Sequence, residues 1–370
     1  MPVPLLDLQA QYATIRAELE TAVLDVVRSQ RFILGPAVET FERQVAEYLG
    51  ARNAIGCASG TDALLLPLKA LRLEPGDEVI VPAFTFFATA GAVWNAGLRP
   101  VFADIARDTF NMGVYEIEPA LTSRTRAIIV VHLFGQCAEM EPIMALARRH
   151  GLAVIEDAAQ AFGARTLIGG AWRRAGTLSD VGSFSFFPSK NLGGFGDGGL
   201  MTTDDDELAE RLRKLRVHGG RQMYHHEMVG TNSRLDALQA AVLSAKLPHL
   251  DGWAAGRRRN AAWYDQRLSG VPRLRTPIAL PANEHVYHQY TVRAERRDAV
   301  KQALDARGIG NAIYYPLALH LQECFRSLGY AAGDFPESER ATAEVLSIPV
   351  YPELSDGQKE EVAEAIAATV

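Results

Sequence analysis

The chain has 370 residues, of which 48% are hydrophobic and 22% charged, a balance that fits a soluble globular protein with one large α/β unit and a smaller one. Its formal net charge of -6 argues against a general nucleic-acid binder, and short basic clusters such as Arg257 to Arg259 read as solvated helix faces. Apolar stretches such as Ala127 to Val131 are too short to cross a bilayer, and three scattered cysteines, Cys57, Cys137 and Cys324, argue against a disulfide framework or a cysteine zinc site. The opening MPVPLLDLQAQY has neither the basic start nor the apolar core of a secretory signal, so the expected compartment is a reducing cytoplasm.

Leu5 to about Arg28 predicts an amphipathic helix, followed by a turn at Phe32 to Pro36. From about Asn53 to Thr203, short β-branched runs alternate with helical patterns. EVIVPAF, RPVFADI, RAIIVVHLFG and LAVIEDAA predict buried strands, which implies βαβ units and a mainly parallel sheet covered on both faces. Ligands of such sheets sit outside the carboxyl ends of the strands. ELAERLRKLRVH predicts a further helix, and SRLDALQAAVLSAKLPHL a long one broken near Pro248. The domain change is expected there, between a large unit 1–247 and a small unit 248–370. In the latter, YHQYTVRA predicts a strand and RRDAVKQALDARGIG a helix with a glycine cap.

The strand ends carry the chemistry. GCASGTDALLL predicts a strand, a tight turn at Ser59, Gly60 and Thr61, and a helix whose first N–H groups would suit a phosphate. Ser59 and Thr61 could equally serve as helix caps. Asp157 closes the apolar run AVIED, with Gln160 one helical turn further on. A carboxylate in that crevice needs a cationic partner; helix capping is the plainer alternative. SFSFFPSKNLGGFGDGG then brings Lys190 to a strand end before a glycine-rich loop. A dry site would leave its amine partly unprotonated and nucleophilic, although most lysines are solvated surface charges. The G-x-G-x-x-G at Gly194, Gly196 and Gly199 leads into LMTTDD, a strand-like run without a helix, so a dinucleotide site is not expected.

Phosphate cradle, strand-end Asp and strand-end Lys are together the anchors that pyridoxal 5'-phosphate (PLP) requires: for its phosphate, its pyridine nitrogen and its aldehyde carbon. Phe86 falls at another strand end, where its ring could stack on the cofactor or simply fill the core.

The chain resembles the DegT-type nucleotide-sugar aminotransferases, within the aspartate-aminotransferase (fold type I) group of PLP enzymes. FILGP, SGTDAL, EDAAQAFGA, SFFPSKNLGGFGDGG, GTNSRLDALQAA and YYPLALHLQ carry the resemblance in the family's order. It implies that Lys190 forms the Schiff base with the cofactor and that Asp157 pairs with the pyridine nitrogen. By the same resemblance Gln160 bonds the phenolic oxygen, Phe86 stacks on the ring, and Gly60, Thr61 and Ser185 hold the phosphate. Asn232 would reach that phosphate from the neighbouring subunit of a homodimer with shared sites. Tyr315, His320, His225 and Arg221 are the substrate-binding candidates, and Ala318 departs from the family's second proline. Tyr224-His225-His226-Glu227 lacks the spacing of a metal site, so no metal is expected.

The resemblance further implies an amino-acid donor, L-glutamate, and a nucleotide-linked keto-sugar acceptor. The cofactor would cycle between PLP and pyridoxamine 5'-phosphate with ping-pong kinetics. Relatives with His in place of Lys190 dehydrate sugars; Lys190 here favours transamination. The stretch YHHEMVGTNSRLD is similar to members acting at C3 of a dTDP- or UDP-hexose. Amination at C4, an aminocyclitol ketone, and a non-catalytic regulator on the same fold stay open as alternatives.

Overall fold

The computed structural model describes residues 2–222 and 224–369; the expected outer domain limits at 1 and 370 fall outside them. The strands are β1 (Asn53–Cys57), β2 (Glu78–Pro82), β3 (Arg99–Ala103), β4 (Thr125–Val131), β5 (Ala153–Asp157), β6 (Arg165–Ile168), β7 (Ala171–Arg174), β8 (Val181–Ser185), β9 (Gly199–Thr203), β10 (Leu274–Arg275), β11 (Asn283–Glu284), β12 (Tyr290–Ala294) and β13 (Val345–Ile348). The helices are α1 (Leu8–Ser29), α2 (Pro36–Leu49), α3 (Gly60–Ala70), α4 (Ala88–Asn95), α5 (Val114–Ile117), α6 (Met140–His150), α7 (Asp206–Leu215), α8 (Ala237–Lys246), α9 (Leu250–Arg267), α10 (Arg297–Ala306), α11 (Pro336–Glu344) and α12 (Asp356–Ala367). None of them is long and apolar enough to cross a membrane.

Seven strands form the central sheet in the order β1-β9-β8-β5-β4-β2-β3. The neighbours from β8 to β3 are parallel, whereas β9 runs antiparallel to both β1 and β8. The four predicted apolar runs are β2 to β5, and successive residues face opposite sides. Ile80, Ile128, Val130 and Val154 pack toward α2, α6 and α8. Val79, Val81, Ile129 and Ile155 pack toward α3, α4 and α7. Each fully buried Ile or Val contributes about 1.5–3 kcal/mol, and truncating one such residue to Ala costs about 2–5 kcal/mol through the cavity it leaves.

A second sheet, β10-β12-β13, carries its own core of Tyr264, Tyr290, Val292, Leu304, Leu346 and Ile366. Along α9 the partners change: Leu250 and Ala254 belong to the large core, Ala261 and Tyr264 to the small one. Val3 also packs in the small core, its N–H donating to the Gly308 carbonyl. The chain therefore starts against the C-terminal layer before α1 crosses to α8.

Candidate active site

The carboxyl ends of β5 and β8 and the start of α3 converge on one crevice. Ser59 is the N-cap of α3, and its hydroxyl accepts the Asp62 N–H at 3.1 Å. The capping alternative thus holds for Ser59. The N–H groups of Gly60 and Thr61, next in the helix, have no acceptor among the described residues. Ser185 stands beside them so closely that a Cβ on Gly60 would lie 2.5 Å from Ser185 Cβ and 2.9 Å from its Oγ. Only glycine keeps this concave, donor-lined hollow open.

Asp157 ends β5 and is 6% exposed. Its Oδ2 accepts from Thr89 Oγ1 at 2.8 Å, and its Oδ1 only a long 3.3 Å bond from the Ala159 N–H. Burial pushes this carboxyl above its usual range, while Thr89, the Ala159 amide, Lys190 and His132 pull it down. Lys190 follows β8 with its N–H on the Phe187 carbonyl at 2.8 Å. Burial lowers its ammonium to about 8, against an upward pull from Asp157.

The glycine run after Lys190 enters β9 and no helix, as the sequence predicts. At Gly193 a Cβ would sit 2.2 Å from the Pro188 carbonyl oxygen, so the loop folds back tightly under Lys190. Lys246 Nζ donates to the Gly193 carbonyl at 2.7 Å, and Gln239 Oε1 accepts the Phe195 N–H at 2.7 Å. His288, 6% exposed, has an unpartnered Nδ1; burial and then the nearby Lys190 charge hold it well below its ordinary value.

Gln160 is fixed from behind and in front. Its Oε1 accepts the Phe134 N–H at 2.7 Å, and its Nε2 donates to Tyr315 Oη at 3.0 Å. Phe134 adopts φ 58°, the left-handed region, and in that conformation its amide meets Gln160. Phe86 is 56% exposed with its ring 6.2 Å from that of Tyr315, so it offers a free aromatic face at the crevice.

The other predicted residues stand apart. Asn232 is exposed and pairs through its backbone with Val217. Arg221 is exposed and bonds Glu210 at 2.5 Å; His225 is exposed on the same segment. His320 is not brought to the crevice. It is 2% exposed, bonds Glu339 at 3.1 Å, and packs edge-on to Phe335 with centroids 4.7 Å apart. Sequence reasoning missed Thr89, Lys246 and His288. Thr89 had a signal: it follows Phe86 by one helical turn, at the same strand end.

A hollow of free N–H donors suits a phosphate, a buried carboxylate short of a cation suits a protonated pyridine, and an amine with lowered basicity suits an aldehyde. These residues fit PLP. The overall fold is that of the fold-type-I PLP-dependent enzymes. The structure of S. venezuelae DesV in complex with a ketimine intermediate superposes with a TM-score of 0.96 at 46% identity, covering 99% of this chain and 98% of that one. The chain belongs to the DegT/DnrJ/EryC1/StrS aminotransferase family, which it matches over residues 13–367. A "Pleiotropic regulatory protein" of Geobacillus stearothermophilus is 50% identical, covering 99% of this chain and 98% of its own. A UDP-N-acetyl-3-dehydro-alpha-D-glucosamine 3-aminotransferase of Acidithiobacillus ferrooxidans is 48% identical, covering 100% and 98%.

Proposed function

We propose that the protein transfers the amino group of L-glutamate onto C3 of a dTDP- or UDP-linked 3-keto-hexose in the cytoplasm. The carrying observation is the joining of Lys190, Asp157 and the Gly60 hollow in one crevice. The C3 assignment draws support from the 3-aminotransferase relative.

Bound PLP supplies an aldehyde that takes up amines and a ring that withdraws electrons. Lys190 Nζ would hold the cofactor and, when free, would serve as the base that takes the donor's α-proton and the acid that returns it. Asp157 would pair with the ring nitrogen and favour its protonated form. Gly60 and Thr61 offer N–H groups to the phosphate, Ser185 its hydroxyl, and Ser59 contributes by capping the same turn. Phe86 would offer its exposed aromatic face to the ring. Gln160 would meet the phenolic oxygen, and Tyr315, bonded to Gln160, would be a candidate contact for the substrate.

Arg221 and His225, exposed on a segment beyond the crevice, reach a substrate in the partner subunit's site of a homodimer, as Asn232 reaches its phosphate. His320 is left out of the substrate set because its imidazole is buried against Glu339 and Phe335. We divide the chain near residue 248; the change of core falls a little later, within α9 between Ala254 and Ala261.

The test is an absorption spectrum of the purified protein before and after excess L-glutamate, followed by initial rates with nucleotide-linked 3-keto-sugars. A visible band that bleaches on glutamate addition, with parallel double-reciprocal lines, supports the reading; intersecting lines overturn the ping-pong scheme. A regulator on the same fold is the second reading, favoured by the name of the relative at 50% identity. A visible band that glutamate leaves untouched would favour it.

A further inference from the structure

We propose that Thr85 and Thr89 are positioning residues: their hydroxyls form a relay that turns Asp157 toward the cofactor ring and keeps it ionised. The inference rests on the reading that Asp157 partners the pyridine nitrogen. Both threonines are buried, Thr85 at 2% and Thr89 at 0% exposure. Thr89 Oγ1 lies 2.8 Å from Asp157 Oδ2, and Thr85 Oγ1 lies 3.3 Å from Thr89 Oγ1.

An ionised carboxylate only accepts, so the single Thr89 proton is committed to Asp157. The second contact must then run from Thr85 to Thr89. A hydroxyl that accepts one bond donates more strongly through the next. A threonine in the first turn of a helix more often bonds nearby backbone. Thr89 instead reaches across to β5. Its hold on Oδ2 leaves Oδ1 with only the long Ala159 contact among the described residues. Lys190 and His132 also act on Asp157, and Asp157 in turn acts on the Tyr315 hydroxyl. Phe86 precedes Thr89 by three residues and donates no side-chain bond of its own; its carbonyl accepts the Thr89 N–H at 3.2 Å. One helical turn therefore carries both the aromatic face for the ring and the hydroxyl that sets the ring's partner.

The experiment reconstitutes the apoprotein with PLP labelled with 15N in the ring, reads the pyridine nitrogen shift by NMR, and titrates PLP affinity by protein fluorescence. In Thr89→Val the shift is expected to move toward that of an unprotonated pyridine, and the Kd to rise about tenfold, the loss of one bond to a charged group. Thr89→Ser should restore both. Thr85→Val leaves every direct Asp157 contact in place and should move both readouts in the same direction by a smaller amount, so the relay is testable even if Thr89→Val fails to fold. Asp157→Asn is the reference. If it moves the nitrogen shift while Thr89→Val, or Thr85→Val in its stead, does not, the relay is wrong and Asp157 keeps its role. If Asp157→Asn itself leaves the shift unmoved, the reading of Asp157 fails first.

Discussion

Glu156 and Asp157 are consecutive residues at the end of β5, and they face opposite sides of the central sheet. Glu156, 0% exposed, accepts bonds from the Gly176 and Leu178 amides at 2.7 Å each, from Ser179 Oγ at 3.1 Å and from His132 Nε2 at 2.8 Å. His132 Nδ1 in turn accepts the Ala138 N–H, which places the ring proton on the Glu156 side. Asp157 has no such set of donors. Two buried carboxylates one residue apart are thus divided in purpose: one is fully satisfied by protein, the other is left short of a cation.

Glu156→Leu should therefore be a folding variant, not a catalytic one. It strands two buried amides and an imidazole, each at about 1–3 kcal/mol. Urea unfolding should show a loss of at least about 3 kcal/mol relative to wild type. A loss below about 1 kcal/mol would mean that other groups already satisfy those donors.

Gly60→Ala tests the hollow at the start of α3. The added Cβ would lie 2.5 Å from Ser185 Cβ, so the two segments must separate or the methyl must occupy the hollow. Overpacking of this kind costs about 1–3 kcal/mol. Because alanine is otherwise a good helix former, that cost is expected as a PLP Kd raised roughly tenfold or more, with helical circular dichroism retained. An unchanged Kd would remove Gly60 from the cradle.

Much of this was legible because strand ends and helix starts leave local marks. The apolar run of β5 ends on Asp157, and Lys190 follows β8 by a few residues, in the sequence as in the structure. The β6–β7 hairpin, unpredicted, had its own mark in Gly169-Gly170, both at positive φ between short strands. The setting of His320 was not legible for a different reason. Its partners, Glu339 and Phe335, come from a segment whose approach depends on tertiary packing, and no local pattern reports that a histidine is already paired. The same holds for Thr89, whose partner is 68 residues away.

The lowered basicity of Lys190 makes capture of PLP by the apoprotein pH-dependent in a defined direction. Only the unprotonated amine attacks the aldehyde. Burial holds the folded-state amine at about 8, so the capture rate should rise about tenfold per pH unit below that value and level off above it. Asp157 pulls the lysine upward, so Asp157→Asn should move the inflection below about 8. Stopped-flow absorbance at a series of pH values measures both. An inflection near 10, the range of an ordinary lysine, would show that the site does not desolvate Lys190. Asp157→Asn should also slow proton removal from glutamate by about tenfold or more, the loss of a charge-assisted contact.

Asn232 separates a shared site from a self-contained one. Its neighbour Ser233 is tied to the near side: Ser233 Oγ donates to Asp62 Oδ2 at 2.7 Å and accepts the Ala58 N–H at 3.2 Å. That anchor fixes the segment against its own α3 while Asn232 itself stays exposed. If Asn232 serves the neighbouring subunit, a Lys190→Ala chain still lends an intact Asn232 to its partner, and an Asn232→Ala chain still carries an intact Lys190. Neither homodimer would have a complete site, but a mixed dimer has one. Unfolding and refolding the two variants together, with the Lys190→Ala chain in excess, should raise activity per Asn232→Ala chain toward the wild-type value for one site. If Asn232 acts within its own chain, or only supports the fold, no mixing ratio can assemble a complete site and activity will stay at the level of the Asn232→Ala homodimer.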